Sequence, residues 1–389
     1  LIAASAYDHD SPTYFPSATR DTASEVVVRE GEEITADIQY RAEPGHVVSG
    51  QVQGIIESQS QFPSSAAVTL IDVRDRSAVF SAGANSRDNF GFAFSGVPNG
   101  EYELWTTQFL QSRDELRSPP RRVTVRDADV TGVILTLARQ ATIEGRLVFE
   151  PNEKTGCGKR RETAAQETVV YGRRYDAKET NDGSPNRPPS DVAIVASNHV
   201  SLEVGDATGA FTLRNLPPGQ YRIDPRPPAS GWFLRSITIG PQQSVASRNA
   251  TARDGLTLKS GERFSGLTVT MTEGAASIRG RVTVPEGQRL PTGLSVYVVP
   301  VEKENAADVL QFFETRVEAD GAFVLGNIAP GKYWLVARET EASKTAVEKH
   351  IRRDSELRSA VLREAEKIKK EIPLKPCERV TDYELLFQP

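Results

Sequence analysis

One sequence pattern occurs three times in this chain and constrains its fold more than any other feature. Each copy begins at a phenylalanine, with apolar residues two, five and twelve positions later, a glycine eight later and a tyrosine ten later. The phenylalanine, glycine and tyrosine of the successive copies are Phe92, Gly100 and Tyr102; Phe211, Gly219 and Tyr221; and Phe323, Gly331 and Tyr333. Offsets kept in register three times indicate an internal repeat, so we expect a tandem array of one small module.

Each copy has the alternation of a β-strand on both sides of a turn. In the first copy, Phe92 and Phe94 share one face, and Tyr102 and Leu104 share one face. The turn between them contains Pro or Asn followed by Gly, which is the chemistry of tight turns. We therefore predict a β-hairpin with one buried face in each copy. A lone hairpin is marginal in water, so each must belong to a larger sheet.

Flanking strands repeat together with this motif. A short strand with a central glycine precedes each copy, and a closing strand follows it with apolar residues at offsets 0, 3, 5 and 7. The predicted first strands are 48–52, 143–147 and 278–282, and the predicted closing strands are 130–137, 264–271 and 380–387. Each module has about the size of a seven-stranded β-sandwich. The prediction is an all-β fold of tandem immunoglobulin-like or transthyretin-like β-sandwiches, with modules at 46–139, 140–274 and 275–389.

Residues 1–45 are expected to be the C-terminal half of a further, truncated module. Residues 1–3 are similar to the end of a motif copy, and 26–40 have the pattern of a closing strand pair. Two explanations stay open at this point. Either the sequence is a fragment of a longer protein, or another chain supplies the missing strands, as in donor-strand assembly.

These residues resemble carboxypeptidase regulatory-like domains of the transthyretin-like (prealbumin-like) β-sandwich superfamily. The resemblance rests on the glycine-centred first strand, the Asp/Gly turn and the Gly-x-Phe…Pro-Gly-x-Tyr-x-Leu motif, and it covers nearly the whole chain, module by module. It implies tandem domains of large secreted or surface proteins of bacteria, or of the N-termini of outer-membrane receptors. It carries over no catalytic residue, and a fold alone does not define an activity.

Composition and motifs argue against an enzyme. The 389 residues carry a net charge of −5, which disfavours nucleic acid as a partner, and no apolar run is long enough to span a membrane. We predict no catalytic residue, no cofactor and no metal, because no histidine has a second ligand at a suitable spacing. The four histidines are His9, His46, His199 and His350. Two cysteines, Cys157 and Cys377, are too few for a disulfide scaffold. Two alternatives stay open: a bridge that would clamp modules two and three together in an oxidising compartment, or one buried small residue and one loop thiol.

Three segments depart from the repeat. Module two has a polar, Gly- and Pro-rich insertion at about 150–190, which is predicted to be a surface loop with a short strand near 168–171. Module three has a predicted short helix at 305–313 with Asn305 as its N-cap. A second helix is predicted at about 355–371, capped by Asp354 or Ser355, with an apolar stripe packed on the sandwich.

The three tryptophans are the best ligand candidates in the sequence. Trp105 and Trp334 each neighbour an inward residue of a predicted strand, so they are expected to point outward, whereas Trp232 lies near a loop. Exposed aromatic side chains stack on sugars or anchor protein interfaces. The alternative is that neighbouring modules or the module-three helix cover them.

The hypothesis that follows is a non-enzymatic structural or adhesive repeat array of a bacterial extracellular or cell-surface protein, including a self-assembling filament or complex subunit. Very short linkers between the modules favour a stiff array. The expected partners are a protein or a second copy of the chain, with a glycan as a further candidate. Two alternatives stay open: glycan-binding accessory modules of a larger secreted enzyme or outer-membrane receptor, and a periplasmic subunit of a membrane complex. The expected location is secreted, cell-surface or periplasmic.

Overall fold

The computed structural model describes residues 3–4, 9–57, 64–74, 78–112, 114–152, 165–174, 193–195, 209–240, 250–339 and 350–387. The chain forms two compact units, Leu1–Gln140 and Ala141–Pro389. Both consist almost entirely of β-strands, which confirms the predicted all-β fold of tandem β-sandwiches.

The first unit contains one sandwich and a small N-terminal sheet. Its strands are β1 (Ala3–Ala4), β2 (Thr13–Tyr14), β3 (His46–Gln53), β4 (Ser65–Asp72), β5 (Ala78–Asn85), β6 (Gly91–Val97), β7 (Gly100–Phe109), β8 (Glu115–Arg117), β9 (Arg121–Val125), β10 (Val130–Thr136) and β11 (Ala138–Arg139). Short 3-10 helices lie at Arg20–Thr22 and Ser86–Asp88. One sheet has the order β10-β3-β6, and the sheet opposite has the order β11-β8-β7-β4-β5, with β9 also on β7.

The second unit contains two sandwiches. The strands of the middle sandwich of the chain are β12 (Ala141–Glu150), β13 (Val169–Arg174), β14 (Ala193–Val195), β15 (Ala210–Leu216), β16 (Gly219–Arg226), β17 (Trp232–Ile239), β18 (Leu256–Leu258) and β19 (Arg263–Glu273). The strands of the last sandwich are β20 (Ala276–Thr283), β21 (Leu294–Pro300), β22 (Phe313–Arg316), β23 (Ala322–Ile328), β24 (Gly331–Glu339), β25 (Glu371–Leu374) and β26 (Arg379–Leu386). Helix α1 is Ala250–Asp254, helix α2 is Ser355–Ile368, and 3-10 helices lie at Ala165–Glu167, Lys303–Asn305 and Val309–Gln311.

The three sandwiches share one topology. In each, the first strand runs parallel to the closing strand and antiparallel to the strand that carries the repeat phenylalanine. The resulting sheets are β10-β3-β6, then β15-β12-β19-β17, then β23-β20-β26. Each packs on a second sheet that contains the tyrosine strand: β7, β16 or β24.

The repeat motif is not a hairpin, and that prediction was wrong. The phenylalanine strand and the tyrosine strand lie in opposite sheets, so the motif is a tight crossing from one layer of the sandwich to the other. Both strands turn their apolar residues toward the same core: Phe94 is 3% exposed and Leu104 is 0% exposed. A hairpin and a crossing have the same alternation and the same turn residues, so the sequence pattern cannot separate them.

A tyrosine hydroxyl closes each crossing. Tyr102 donates a hydrogen bond to the carbonyl of Pro98 at 2.9 Å, and Tyr221 donates to Pro217 at 2.7 Å. Tyr333 lies 2.8 Å from the carbonyl of Ala329, four residues before it as in the other two copies. All three rings are buried, and burial is the largest cause of the raised pKa of Tyr333. A tyrosine that bonds back to the backbone a few residues upstream is a known device at corners of immunoglobulin-like sandwiches.

The central glycine of the first strand makes room for the phenylalanine ring. A Cβ atom at Gly280 would lie 2.9 Å from the ring of Phe323 and would overlap the carbonyl oxygen of Tyr383. That carbonyl belongs to a bulge in the closing strand, where Asp382 has φ 55°. The corresponding bulges of the other closing strands contain glycine with positive φ, at Gly132 and Gly266. Glycine, phenylalanine and bulge therefore form one packed set in each sandwich.

Residues 26–40 form no strand, so the closing strand pair predicted there is wrong. Val27 is 71% exposed and Val28 is 59% exposed, which means that no described partner covers their apolar side chains. Two backbone hydrogen bonds hold the segment near its ends. The N–H of Ser24, just before it, donates to the carbonyl of Phe15, and the N–H of Gln39 donates to the carbonyl of Pro16. An alternating sequence forms a strand only where a neighbouring strand satisfies its backbone groups.

The helical predictions for the last sandwich were half right. Helix α2 begins after Asp354, whose carboxylate accepts a hydrogen bond from the backbone N–H of Leu357 at 2.9 Å, as predicted. Its buried side chains pack on the outer face of the β21–β24 sheet, as predicted. The helix predicted at 305–313 is instead two 3-10 turns, and Asp308 caps the second one rather than Asn305. The strand predicted near 168–171 is β13, whereas most of the 150–190 insertion lies outside the described residues.

The substitution Gly50→Ala tests the packed set in the first sandwich. Its Cβ would overlap the Val133 carbonyl oxygen and approach the Phe92 ring to 2.8 Å, so we expect the free energy of unfolding to fall by about 2–3 kcal/mol. Gly83→Ala is the matched control, because a Cβ there meets nothing within 4 Å. The free energies of unfolding of both variants are measured by chemical unfolding of the full chain, with hydrogen exchange of the β3 amides as the probe of the first sandwich. Equal effects of the two substitutions would contradict the packing described here.

Candidate interaction surfaces

Among the described residues, no group of three or more His, Cys, Asp and Glu side chains is placed to hold a metal ion. His350 pairs with Glu314 at 2.8 Å, His46 lies 3.9 Å from Asp129, and His9 uses its backbone carbonyl to accept from Gly45. His199 lies outside the described residues. The histidines that the structure describes thus occupy separate places with separate partners.

The cysteines are only half described. Cys377 is disulfide-bonded and follows strand β25 in the last sandwich. The only other cysteine of the sequence, Cys157, lies outside the described residues. The backbone N–H of Cys377 also donates to the carbonyl of Gly274 at 3.0 Å, at the start of the last sandwich.

All three tryptophans are partly buried, and two of them pack against apolar clusters. Trp334 packs against the apolar cluster that helix α2 forms on its sheet, which confirms the expectation that the helix covers it. Trp232 packs against the core of its sandwich, with its ring 5.2 Å from that of Phe149 in an edge-to-face arrangement. Trp105 is half-buried on strand β7, with the guanidinium of Arg117 at 5.1 Å from its ring.

A shallow depression lies beside strand β9 in the first sandwich. It has a volume of about 330 Å³ and is lined by Thr124, Arg126, Ala128, Asp129 and Val130. This lining contains no aromatic ring and no general acid–base pair at hydrogen-bonding distance. It does not have the apolar, convergent character of a small-molecule site.

The second unit contains an interlocked junction between its two sandwiches, which we call the β19–β20 junction. Only Gly274 and Ala275 separate strands β19 and β20, and both of their N–H groups donate to the carbonyl of Gly231, at 2.9 and 3.1 Å. The side chain of Asn327 donates across the junction to the carbonyls of Ala229 and Trp232, at 2.8 and 2.6 Å. The connection is thus held by hydrogen bonds from its own backbone and from a side chain of the last sandwich.

Apolar side chains cross the β19–β20 junction in both directions. Val309 and Leu310, on the 3-10 turn of the last sandwich, belong to the buried core of the preceding one and are 2% and 4% exposed. Phe233 of strand β17 packs in return against the core of the last sandwich. Burial of apolar surface stabilises both cores, so neither sandwich can separate without exposing part of the other.

Arg352 anchors the segment that carries Val309 and Leu310. Its Nε donates to the carbonyl of Phe312 at 2.7 Å, and its guanidinium lies 4.9 Å from the ring of Phe313. Burial lowers the pKa of this arginine, and the charges of Asp224, Glu314 and Asp308 oppose that effect. Arg353, the next residue, reaches Asp224 of the preceding sandwich at 4.0 Å.

The first unit contains a buried carboxylate that binds the N-terminal segment. Asp72, at the end of strand β4, is 1% exposed and accepts from Arg20 at 2.7 Å and from the side chain and backbone of Arg74. Burial alone would raise the pKa of Asp72, but the hydrogen bonds from Arg74 and the charges of Arg20 and Arg74 outweigh it and lower the pKa. Arg74 also pairs with Asp21, so the 3-10 turn at 20–22 is held by two ion pairs.

Sequence reasoning missed these residues because single charged or amide side chains carry no pattern. Asp72 ends an ordinary strand, and Arg352 precedes a helix among other charges. Asn327 had one signal: its place in the repeat, four residues after the phenylalanine, is Gly96 in the first copy. That position has positive φ in every copy, which glycine and asparagine tolerate best.

Comparisons with known proteins give no close relative. No model of a protein family matches the chain, and no curated protein matches it. Solved structures that align with it include the TIE protein of Bacillus anthracis, at 10% identity and a TM-score of 0.19 over 91% of this chain and 52% of that one. The chain thus spans about half of the length of that protein.

Two pilins are further examples. A streptococcal ancillary pilin aligns at 13% identity and a TM-score of 0.20, over 88% of this chain and 99% of that one. The minor pilin of Streptococcus agalactiae aligns at 11% identity and a TM-score of 0.26, over 59% of this chain and 96% of that one. Likenesses this distant carry no argument about activity or partners. In the part of the chain that the structure describes, no helix has the length and hydropathy needed to cross a bilayer.

The Asp72 ion pairs predict an acid-sensitive N-terminal segment. A carboxylate with a lowered pKa stabilises the folded state above its unfolded pKa, and this stabilisation disappears as the pH falls through its lowered value. We expect amide protection at residues 19–24 to stay constant above about pH 4 and to decrease below it. Hydrogen exchange of the full chain across this range measures it.

The substitution Asp72→Asn is the companion variant. It should lower the protection of residues 19–24 already at neutral pH and remove the acid-dependent step. An unchanged step in Asp72→Asn would show that another carboxylate holds this segment.

Proposed function

We propose that this chain is a non-enzymatic structural element of a bacterial extracellular or cell-surface protein. Its tandem sandwiches would hold attached or bound parts at a fixed spacing. The observation that carries the proposal is the β19–β20 junction, in which two modules share apolar side chains and backbone hydrogen bonds. A junction of this kind suits a spacer, a stalk or a subunit of an assembly, whereas independent binding modules are ordinarily joined by flexible linkers.

A disulfide supports the proposed location outside the cytoplasm. Cys377 is disulfide-bonded, and disulfides persist in oxidising compartments such as the cell surface, the periplasm and the extracellular space. We further propose that the three sandwiches are the modules 46–139, 140–274 and 275–389, and that they are carboxypeptidase regulatory-like domains of the transthyretin-like superfamily. The triplicated motif with its glycine, phenylalanine and tyrosine supports that narrower assignment.

Glycan binding is the second candidate function. One observation favours it: the partly buried Trp105 belongs to none of the apolar clusters of the described residues and is flanked by Arg117, an arrangement that can contact a sugar ring and its hydroxyls. The packing of Trp232 and Trp334 against apolar clusters speaks against it, since a sugar-binding platform ordinarily needs more than one accessible ring. Retention of the full chain on a glycan array, lost in Trp105→Ala, would favour this second function.

The structural proposal predicts that the two sandwiches of the second unit unfold together. Scanning calorimetry of the full chain should give one transition for both, because each core contains side chains of the other. The double variant Leu310→Ala, Asn327→Ala should split that transition in two, and Leu310→Ala alone should cost about 2–4 kcal/mol. Two separate transitions in the unsubstituted chain would contradict a rigid junction.

Asn99→Ala is the control for this experiment. Asn99 also forms side-chain hydrogen bonds, to Asp127 at 2.7 Å, but it lies in the first unit. It should leave the shared transition of the second unit unchanged.

A further inference from the structure

Strand β5 is an outer strand that its own sheet leaves open on one side. It pairs with β4, and no strand of the described residues pairs with its other edge. Its eight residues, Ala78–Asn85, include no charged residue and no proline. Natural proteins ordinarily protect a sheet edge with charges, proline or a covering segment, because its free N–H and C=O groups can pair with another strand.

The last sandwich protects the strand in the same place. Strand β22 pairs with β21 as β5 pairs with β4, but it has only four residues, and they include Glu314 and Arg316. Residues that precede helix α2 then contact this strand. The backbone N–H of Ile351 donates to the Glu314 carboxylate at 3.1 Å, and His350 contacts the same carboxylate at 2.8 Å. The first sandwich has no such cover in the part of the chain that the structure describes.

Among the described residues, nothing in the geometry of β5 closes its outer edge. From Phe80↔Leu70 to Asn85↔Ser65 the register with β4 is regular, and the single irregularity lies nearer the start of the strand. Phe80 and Ala84 face the core, with Ala84 0% exposed. The alternate residues Ser81 and Gly83 are exposed and small. Side chains of this size do not screen the backbone groups beside them.

We propose that strand β5 pairs antiparallel with β5 of a second copy of this chain. The two sheets would join into one continuous sheet across a two-fold axis near Ala82. A second copy fits because identical uncharged edges place no like charges opposite one another, and because a two-fold interface is the commonest form of self-association. The proposal rests on the proposed structural function, and names its partner. Pairing through one strand edge predicts a concentration-dependent dimer.

Lysine substitutions on the edge test the proposal. Sedimentation velocity of the full chain into the high-micromolar range should show a monomer–dimer equilibrium. Ser81→Lys and Gly83→Lys would each place two positive charges close together at the two-fold axis. We expect each to raise the dissociation constant of the dimer at least about tenfold. Gly83 tolerates a side chain, because its Cβ would meet nothing within 4 Å.

Two controls keep the test specific. Thr124→Lys adds the same charge at an exposed position of strand β9 and should leave the dimer unchanged. Ser81→Thr keeps a small polar side chain and should also dimerise. In wild type, the β5 amides that point away from β4 should gain protection from hydrogen exchange as the concentration rises.

Three outcomes would overturn the proposal. They are a wild-type chain that stays monomeric, a dimer that persists in both lysine variants, or protection in the dilute monomer of those β5 amides that point away from β4. The last would mean that the chain covers this edge itself. None of these outcomes changes the single calorimetric transition expected for the two sandwiches of the second unit. A failure of the dimer proposal can therefore be distinguished from a failure of the proposed structural function.

Discussion

The hydrogen bond from a buried tyrosine hydroxyl to the backbone carbonyl four residues earlier is the interaction on which each sandwich depends. It lies where the chain crosses from one sheet to the other, in only a few residues. A buried carbonyl without a partner costs about 1–3 kcal/mol, so the tyrosine stabilises a tight crossing that would otherwise be unfavourable. The crossing in turn places the phenylalanine over the first-strand glycine, and the alternating residues of both strands in one core.

Much of this architecture could be predicted from the repeat, because apolar periodicity reports which residues face a core. The glycine-centred first strands, the closing strands and helix α2 lie where the pattern indicates. The pattern could not tell a hairpin from a crossing, since both place Phe94 and Leu104 inside and both need a Pro–Gly or Asn–Gly turn. It also predicted strands at 26–40, although a β-branched segment such as Val26–Val28 needs a partner strand that the described residues do not provide. The contacts of Asp72 with Arg20 and of Arg352 with Phe312 join residues far apart in the sequence and leave no local signal. For Asn327 the repeat position indicated a positive φ but not the contacts of its side chain.

The proposed function rests on how the modules are combined rather than on a reactive group. In the second unit the core of one sandwich includes Val309 and Leu310 of the next, and the two connecting residues bond to Gly231. The outer strand next to the second strand differs between copies of the repeat. Strand β22 is short, charged and contacted by His350 and Ile351, whereas β5 is long and uncharged. One fold thus joins two sandwiches through a shared core at the β19–β20 junction and has an uncharged outer strand in the first sandwich.

The most direct test of the central claim is the stability of Tyr221→Phe, measured by hydrogen exchange of strands β15 and β16 in the full chain. Loss of the hydroxyl leaves the Pro217 carbonyl buried without its donor, so the opening free energy of this sandwich should fall by about 1–3 kcal/mol. Tyr171→Phe removes a hydroxyl from the same sandwich away from the crossing, and should cost less than about 0.5 kcal/mol. Equal and small effects of both substitutions would contradict the account, because the crossing would then be held by packing alone.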